Sequence, residues 1–254
     1  MKVAVCLSGQ LRTFDKTYNS IIENLVKPNN ADVFIHSWDE TNISTGIDKS
    51  RIYACNTNNI DKVLTYFNPQ KYVFDKPMDF IEYNDLHVSD GWIDTIMKMH
   101  NMSREDAKQH CIRNTCSMFY SIYKCNELKN TYANENNFEY DYIIRCRFDL
   151  KIKKPIYISQ FSNNKLYYHN LNQQDNMVSD WFNISNNNNM NIYSDVFKNI
   201  YTLNNLTEKT RCDNISFRGS SQFTWGNEYL IREILHINKI EKQIHNFDIE
   251  PIYS

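Results

Sequence analysis

Residues 3–7 (Val-Ala-Val-Cys-Leu) are apolar on both alternating faces, the pattern of a strand buried between two helix layers rather than one with a wet side. After them Phe14, Tyr18, Ile21, Ile22 and Leu25 recur at helical spacing up to Pro28, and residues 32–35 then read as a second strand. The pattern repeats. Ile60, Val63, Leu64 and Phe67 give a helix face closed by Pro69, and residues 71–74 give a third strand. Three strands alternating with two helices predict an α/β fold with a mostly parallel central sheet flanked by helices.

Ser103, with Asp106 three residues on, makes a capping-box-like start, and helical spacing through Met118, Phe119, Ile122, Cys125 and Leu128 fills 103–133 with one or two helices. Polar residues 134–137 break that pattern, and 140–148 follow as a strongly apolar strand interrupted by two arginines. Beyond it the periodicity predicts short strands at 165–168 and 181–184, helices near 191–201 and 228–237, and a long loop over 202–222. The C-terminal half is therefore expected to be mixed α+β.

The 254 residues suit one domain, and 41% apolar with 23% charged residues is the profile of a globular chain. A formal net charge of -2 leaves no excess of Lys or Arg for a phosphate backbone, so a nucleic-acid partner is not expected. No stretch approaches the roughly 20 apolar residues that span a bilayer, and a cytoplasmic protein, neither secreted nor membrane-embedded, is expected. The seven cysteines are odd in number and lack C-x-x-C spacing. They read as reduced and structural.

With five glycines, at 9, 46, 91, 219 and 226, neither G-x-G-x-x-G nor a G-x-x-x-x-G-K-[ST] loop can be written. H-E-x-x-H, zinc-type Cys/His spacing and G-x-S-x-G are also absent from the sequence. What remains is the end of the first strand, Ser8-Gly9-Gln10-Leu11-Arg12, where a small turn would expose backbone N–H groups and place a guanidinium before a helix. Ligands of open α/β sheets bind at the carboxyl ends of strands, and an arginine there can pair bidentately with phosphate. A plain strand-to-helix turn with Arg12 in solvent fits the same residues. A second signal is Ile143-Ile144-Arg145-Cys146-Arg147-Phe148-Asp149-Leu150, where period-2 geometry puts Arg145, Arg147 and Asp149 on one face. Three charges on a buried strand must pair with one another, meet a ligand or open on a cleft.

These residues also carry a resemblance. The stretches 5–14 (VCLSGQLRTF), 32–38 (DVFIHSW) and 140–150 (YDYIIRCRFDL) resemble GT-A-type glycosyltransferases of large DNA viruses and bacterial surface-glycan loci, over roughly residues 1–240. The resemblance implies a GT-A-like fold with a nucleotide-binding half over 1–150 and an acceptor-side half over 151–254. It implies transfer of a hexosyl or deoxyhexosyl group from a UDP- or GDP-sugar to a glycan hydroxyl, in the host cytoplasm if the chain is viral. GT-A enzymes hold Mn²⁺ or Mg²⁺ with an Asp-x-Asp at such a strand end, where this chain has Arg147-Phe148-Asp149. Asp149 is then the metal ligand, while Arg147 cannot bind metal and instead meets phosphate.

By the same resemblance Leu7, Ser8, Gly9, Arg12 and Arg145 contact the nucleotide sugar, His36 and Trp38 line the nucleotide cleft, and Ser117 and Tyr120 reach the donor sugar. Asp180 is the general base of an inverting transfer, with Asp175 in reserve, and Glu228 matches a late Glu at a helix start. Two other readings stay open. One is a nucleotidyltransferase, which needs more acidic metal ligands. The other is a non-catalytic glycan- or nucleotide-binding module descended from an enzyme, which the missing first carboxylate favours.

Overall fold

The computed structural model describes residues 1–39, 43–44, 52–53, 57–169, 178–212 and 227–252. Strand β1 (Val3–Ser8) is buried along its whole length, as its unbroken apolar run requires. Helix α1 (Phe14–Ile21) continues through a π-helical segment, Ile22–Val26, into α2 (Lys27–Asn29), and Asn30 then turns left-handed at φ 44°. Next come β2 (Asp32–Trp38), a small antiparallel pair β3 (Ile43–Ser44) and β4 (Ile52–Tyr53), α3 (Thr57–Phe67) and β5 (Lys71–Asp75). The two βαβ units expected from the periodicity are both present.

Helix α4 (Asp90–His100) was not foreseen, and it precedes the 32-residue α5 (Arg104–Glu135). Ser103 starts α5 as expected: its hydroxyl accepts the Asp106 N–H at 3.1 Å. Strands β6 (Tyr142–Cys146), β7 (Leu150–Ile152), β8 (Lys165–Tyr168) and β9 (Phe182–Ser185) follow. Helices α6 (Asn187–Ser194), α7 (Ile200–Cys212) and α8 (Asn227–Ile237) and strands β10 (Glu241–Ile244) and β11 (Ile249–Pro251) complete the chain.

The main sheet has seven strands in the order β10-β8-β9-β6-β1-β2-β5. β1 runs parallel to both β2 and β6, and β2 runs parallel to β5. Only β9 opposes the rest of the sheet, pairing antiparallel with β6 on one side and β8 on the other. One face packs Phe14, Ile21, Leu25, Val63 and Phe67 of α1–α3 against Val5, Leu7 and Ile144. The other packs α4, α5, α6 and α8 against Ala4, Cys6, Phe34 and Ile143. Among the described residues, Cys6, Cys111, Cys116, Cys125 and Cys146 are free and buried, as the odd count suggested.

Two expectations in the C-terminal half are corrected. The helix placed at 191–201 is two helices: Asn186 caps α6 by accepting the Asn189 N–H at 2.7 Å, and the chain turns between Asp195 and Asn199 before α7. Asn186 makes an earlier helix start possible, because an Asn side chain supplies the acceptor a first turn lacks. The loop expected over 202–222 is helical up to Cys212.

Candidate active site

At the carboxyl ends of β1, β2 and β5, one hydrogen-bond chain ties three strands to α5. The Gly9 N–H donates to Ser121 Oγ at 2.8 Å, and Ser121 Oγ lies 2.8 Å from His36 Nδ1. His36 Nε2 meets Asp75 Oδ2 at 3.1 Å, and the Tyr120 hydroxyl donates to the same oxygen at 2.9 Å. Burial pushes the His36 pKa down, against the pull of Asp75, so the ring is neutral at neutral pH. We therefore assign the proton to Nε2, facing Asp75, with Ser121 donating to Nδ1. Burial works against the Asp75 carboxylate, but its bonds from His36 and Tyr120 hold its pKa below the usual range.

Several predicted residues meet here and others do not. Gly9, at φ 114°, makes the turn, but its N–H is spent on Ser121 and the His36 carbonyl rather than open to a ligand. Trp38 stacks on Tyr120 with ring centroids 5.6 Å apart and meets His36 edge-on, so the two aromatic residues form one wall. Leu7 packs wholly inside the α1–α3 core and contributes no side chain to the wall. The residue that sequence reasoning missed is Ser121, one position from Tyr120. A small hydroxyl one helical turn before the buried Cys125, on an apolar helix face, is the signal that marks it.

The charged cluster lies just past the ends of β1 and β6. Arg147 Nε donates to Asp149 Oδ1 at 2.9 Å and Nη2 to Oδ2 at 2.5 Å, while Arg12 Nη1 reaches Oδ2 at 3.0 Å. Asp149 is 2% exposed; burial raises its pKa, but Arg147 and then Arg12 outweigh that and hold it below the usual carboxylate range. Arg12 sits at φ 40°, a left-handed conformation that a non-glycine residue adopts at a cost. The Phe148 carbonyl accepts from the Thr17 hydroxyl, and the Asp149 carbonyl accepts the Ile252 N–H at 2.8 Å. These contacts fix the turn from both sides.

The alternation predicted for this strand holds for its apolar half: Tyr142, Ile144, Cys146 and Phe148 all face the α1–α3 core. The charged half divides, because β6 ends at Cys146 and a turn follows. Arg147 and Asp149 join Arg12, whereas Arg145 is 2% exposed beneath α5 and α6 and makes no ion pair among the described residues.

A third group approaches from β9. The Arg147 N–H donates to the Trp181 carbonyl at 3.2 Å, and its guanidinium lies 4.6 Å from the centre of the Trp181 ring. This places Asp180, 5% exposed, at the edge of the charged cluster. Glu228, in the first turn of α8, feels the Asp180 charge: burial first and that charge second push its pKa up to about 7. A Glu228 side chain with such a pKa is partly protonated near neutrality. Ser117 is half-buried on α5, with no side-chain hydrogen bond among the described residues, and Asp175 lies outside the described residues.

The residues present do not suit a divalent cation. Among the described residues no group of three His, Cys, Asp or Glu side chains could hold a metal ion, and the Asp149 carboxylate already bridges two guanidinium groups.

Among solved structures, the chain is similar to the apo-form glycosyltransferase GlyE of Streptococcus pneumoniae TIGR4, with a TM-score of 0.42 and 9% identity over 95% of this chain and 44% of that one. It is also similar to a glycosyltransferase involved in glycosylation of the major capsid of PBCV-1, with a TM-score of 0.37 and 8% identity over 97% of this chain and 82% of that one. The chain thus spans less than half the length of the streptococcal protein. No protein-family model matches the chain, and no curated protein matches it. No helix among the described residues is long and apolar enough to cross a membrane.

Proposed function

We propose that the protein is a glycosyltransferase that moves a hexosyl or deoxyhexosyl group from a UDP- or GDP-sugar to a glycan hydroxyl. The observation that carries this reading is the pairing of Arg12 and Arg147 around buried Asp149, at the carboxyl end of a parallel sheet and beside the Asp180–Glu228 carboxyl pair. The resemblance of the three strand-end stretches to GT-A-type enzymes supports it independently.

The chemical difficulty of such a transfer is charge: negative charge builds on the departing diphosphate while the anomeric carbon becomes oxocarbenium-like. Preorganised cations aimed at the leaving group answer that need. Arg12 and Arg147, 28% and 17% exposed, reach solvent, while buried Asp149 holds both guanidinium groups in place. In this reading the diphosphate rests on the two guanidinium groups, and the aromatic wall of His36, Trp38 and Tyr120 flanks the nucleotide. In an inverting transfer Asp180 takes the acceptor proton as the new bond forms, with Glu228 beside it. Mn²⁺ or Mg²⁺, which GT-A resemblance implies, would here have Asp149 alone, so the reading gives the arginines the cationic role. Residues 1–150 then form the nucleotide-binding half, and 151–254 the acceptor-side half.

Release of nucleoside diphosphate from a panel of UDP- and GDP-sugars, with Mn²⁺, Mg²⁺ or EDTA, tests the reading on wild type and Asp149→Asn. Turnover of one donor that survives EDTA and is lost in the variant is expected. Silence across the panel, with no donor binding by calorimetry, would sink it in favour of a non-catalytic binding module.

A further inference from the structure

Three side chains on the α5–α6 side of the sheet carry polar atoms that are buried without a hydrogen-bond partner among the described residues. They are Arg145, through Nε and Nη1, Asn183, through Oδ1, and Tyr193, through its hydroxyl. Arg145 is 2% exposed and the other two are fully buried. Native interiors leave few such groups, so several together need an explanation.

The three belong to one place. Arg145 lies opposite Asn183 across the β6–β9 ladder and opposite Cys6 across the β6–β1 ladder. Directly opposed residues point to the same side of a sheet, and Cys6 belongs to the core beneath α5 and α6. Tyr193 projects from α6 into that same core. Its hydroxyl is disfavoured as an anion by burial first, while it also senses Arg145, Asp180 and Glu228. Asn183 fixes its amide by donating to the Ser179 carbonyl at 2.9 Å, which leaves Oδ1 as its unpaired acceptor. Ser8, whose hydroxyl is likewise buried without a partner, stands two residues beyond Cys6 on β1 and continues the same face towards the strand end.

We propose that Arg145, Asn183 and Tyr193 form a subsite for the hydroxyl groups of a neutral sugar, the ring that is transferred. The inference rests on the transferase reading and adds to it three residues that decide which donor is accepted. Hydroxyl groups both donate and accept, and the subsite offers guanidinium N–H donors, a phenol that does either, and an amide oxygen that accepts. Charge selects the class of sugar. Arg145 is the cation of the group, but the carboxyl groups of Asp180 and Glu228 are near enough to act electrostatically on the same Tyr193 hydroxyl, so the subsite has no surplus positive charge for a carboxylate or a phosphate. It therefore favours an uncharged hexose or deoxyhexose over a uronic acid.

Polar groups kept unpaired for a ligand weaken the empty fold, and this separates the proposal from a purely structural role. Tyr193→Phe keeps the packing and removes only the hydroxyl. The expected result is a melting temperature equal to or above wild type, a KM for the preferred nucleotide sugar raised at least tenfold, and an unchanged Kd for the free nucleoside diphosphate. Arg145→Met, of similar length, should raise the same KM by more and leave nucleotide binding in place. An unchanged KM in Tyr193→Phe, in a wild-type background that turns the donor over, overturns the subsite and leaves the transferase reading standing. Faster wild-type turnover of UDP-glucuronic acid than of any neutral donor overturns it as well. Wild-type silence across all donors overturns both.

Discussion

Arg147 and Asp149, two residues apart on the chain, close a two-point ion pair in which Nε meets Oδ1 at 2.9 Å and Nη2 meets Oδ2 at 2.5 Å. The planar fork of a guanidinium matches a carboxylate in this way, and an ammonium group does not. The pair changes what Asp149 does: with Arg12 on its other flank it anchors cations rather than offering an open ligand face.

Arg147→Lys keeps the charge and removes the fork. Diphosphate release is expected to fall on the order of 10²-fold, the scale of losing one preorganised transition-state donor. Steady-state kinetics with saturating donor measure it, and turnover within a factor of two of wild type would show that the fork does not act on the leaving group.

The Asp180–Glu228 pair sets a pH dependence whose sign can be worked out. Glu228 has its pKa raised by burial and by Asp180 to about 7, above the 4.5 of a free side chain, so the fold prefers the protonated acid. Its favourable contribution is complete below pH 4.5 and is lost as pH rises through about 7. Glu228→Gln should therefore be more stable than wild type at pH 8 by about 2 kcal/mol, at about 1.4 kcal/mol per pKa unit with some discount for coupling, and nearly equal at pH 4.5. Urea midpoints at the two pH values check it, and a variant less stable at pH 8 refutes the assignment.

The strands that build the site were legible because β1, β2 and β6 each carry a short buried apolar run, at residues 3–7, 33–35 and 142–144. Asp149 was legible as a carboxylate at the end of such a run. Its second partner was not, since Arg12 lies 137 residues away and only the parallel pairing of β1 with β6 brings the two turns together. Alternation extrapolated through 149 put three charges in one group, but the strand stops at Cys146, and Arg145 went instead to the α6 side. Tyr193 escaped notice because the single helix expected near 191–201 is two, and α6, which carries it, already starts at the Asn186 cap.

Ser121 is the hinge of the hydrogen-bond chain between the Gly9 turn and His36. Ser121→Ala leaves His36 Nδ1 without its 2.8 Å partner and takes away the stronger of the two acceptors of the Gly9 N–H. The expected cost is about 1–3 kcal/mol in stability, the range for stranding a buried polar group. Donor KM should rise as well, because His36 and the turn lose their relative placement. Chemical denaturation together with donor titration tests this, and a variant with wild-type stability would show that the chain is not load-sharing.

Lys129 is a buried cation far along α5, held by Asn187 Oδ1 and by Asn191 Oδ1 at 3.1 Å. Burial lowers its pKa from 10.5 to about 8, although Cys6, Cys125 and Glu139 pull the other way. The fold therefore binds this proton less tightly than the unfolded chain does. Its penalty is full below pH 8 and is relieved as pH climbs towards 10.5, where the unfolded lysine also becomes neutral. The shift corresponds to roughly 3 kcal/mol at about 1.4 kcal/mol per unit, offset in part by the two amide acceptors. Lys129→Met fills the same space without charge, and Asn191 Oδ1 keeps its bonds from Asn126 and Asn130. The variant should unfold at higher urea than wild type at pH 7, and the gap should narrow steadily between pH 8 and 10.5. Taking the difference between the two proteins removes the titration of buried tyrosines and thiols that both share. A gap that stays constant over that range would mean that Lys129 keeps its proton in the fold, and that the asparagine pair, rather than deprotonation, accommodates it.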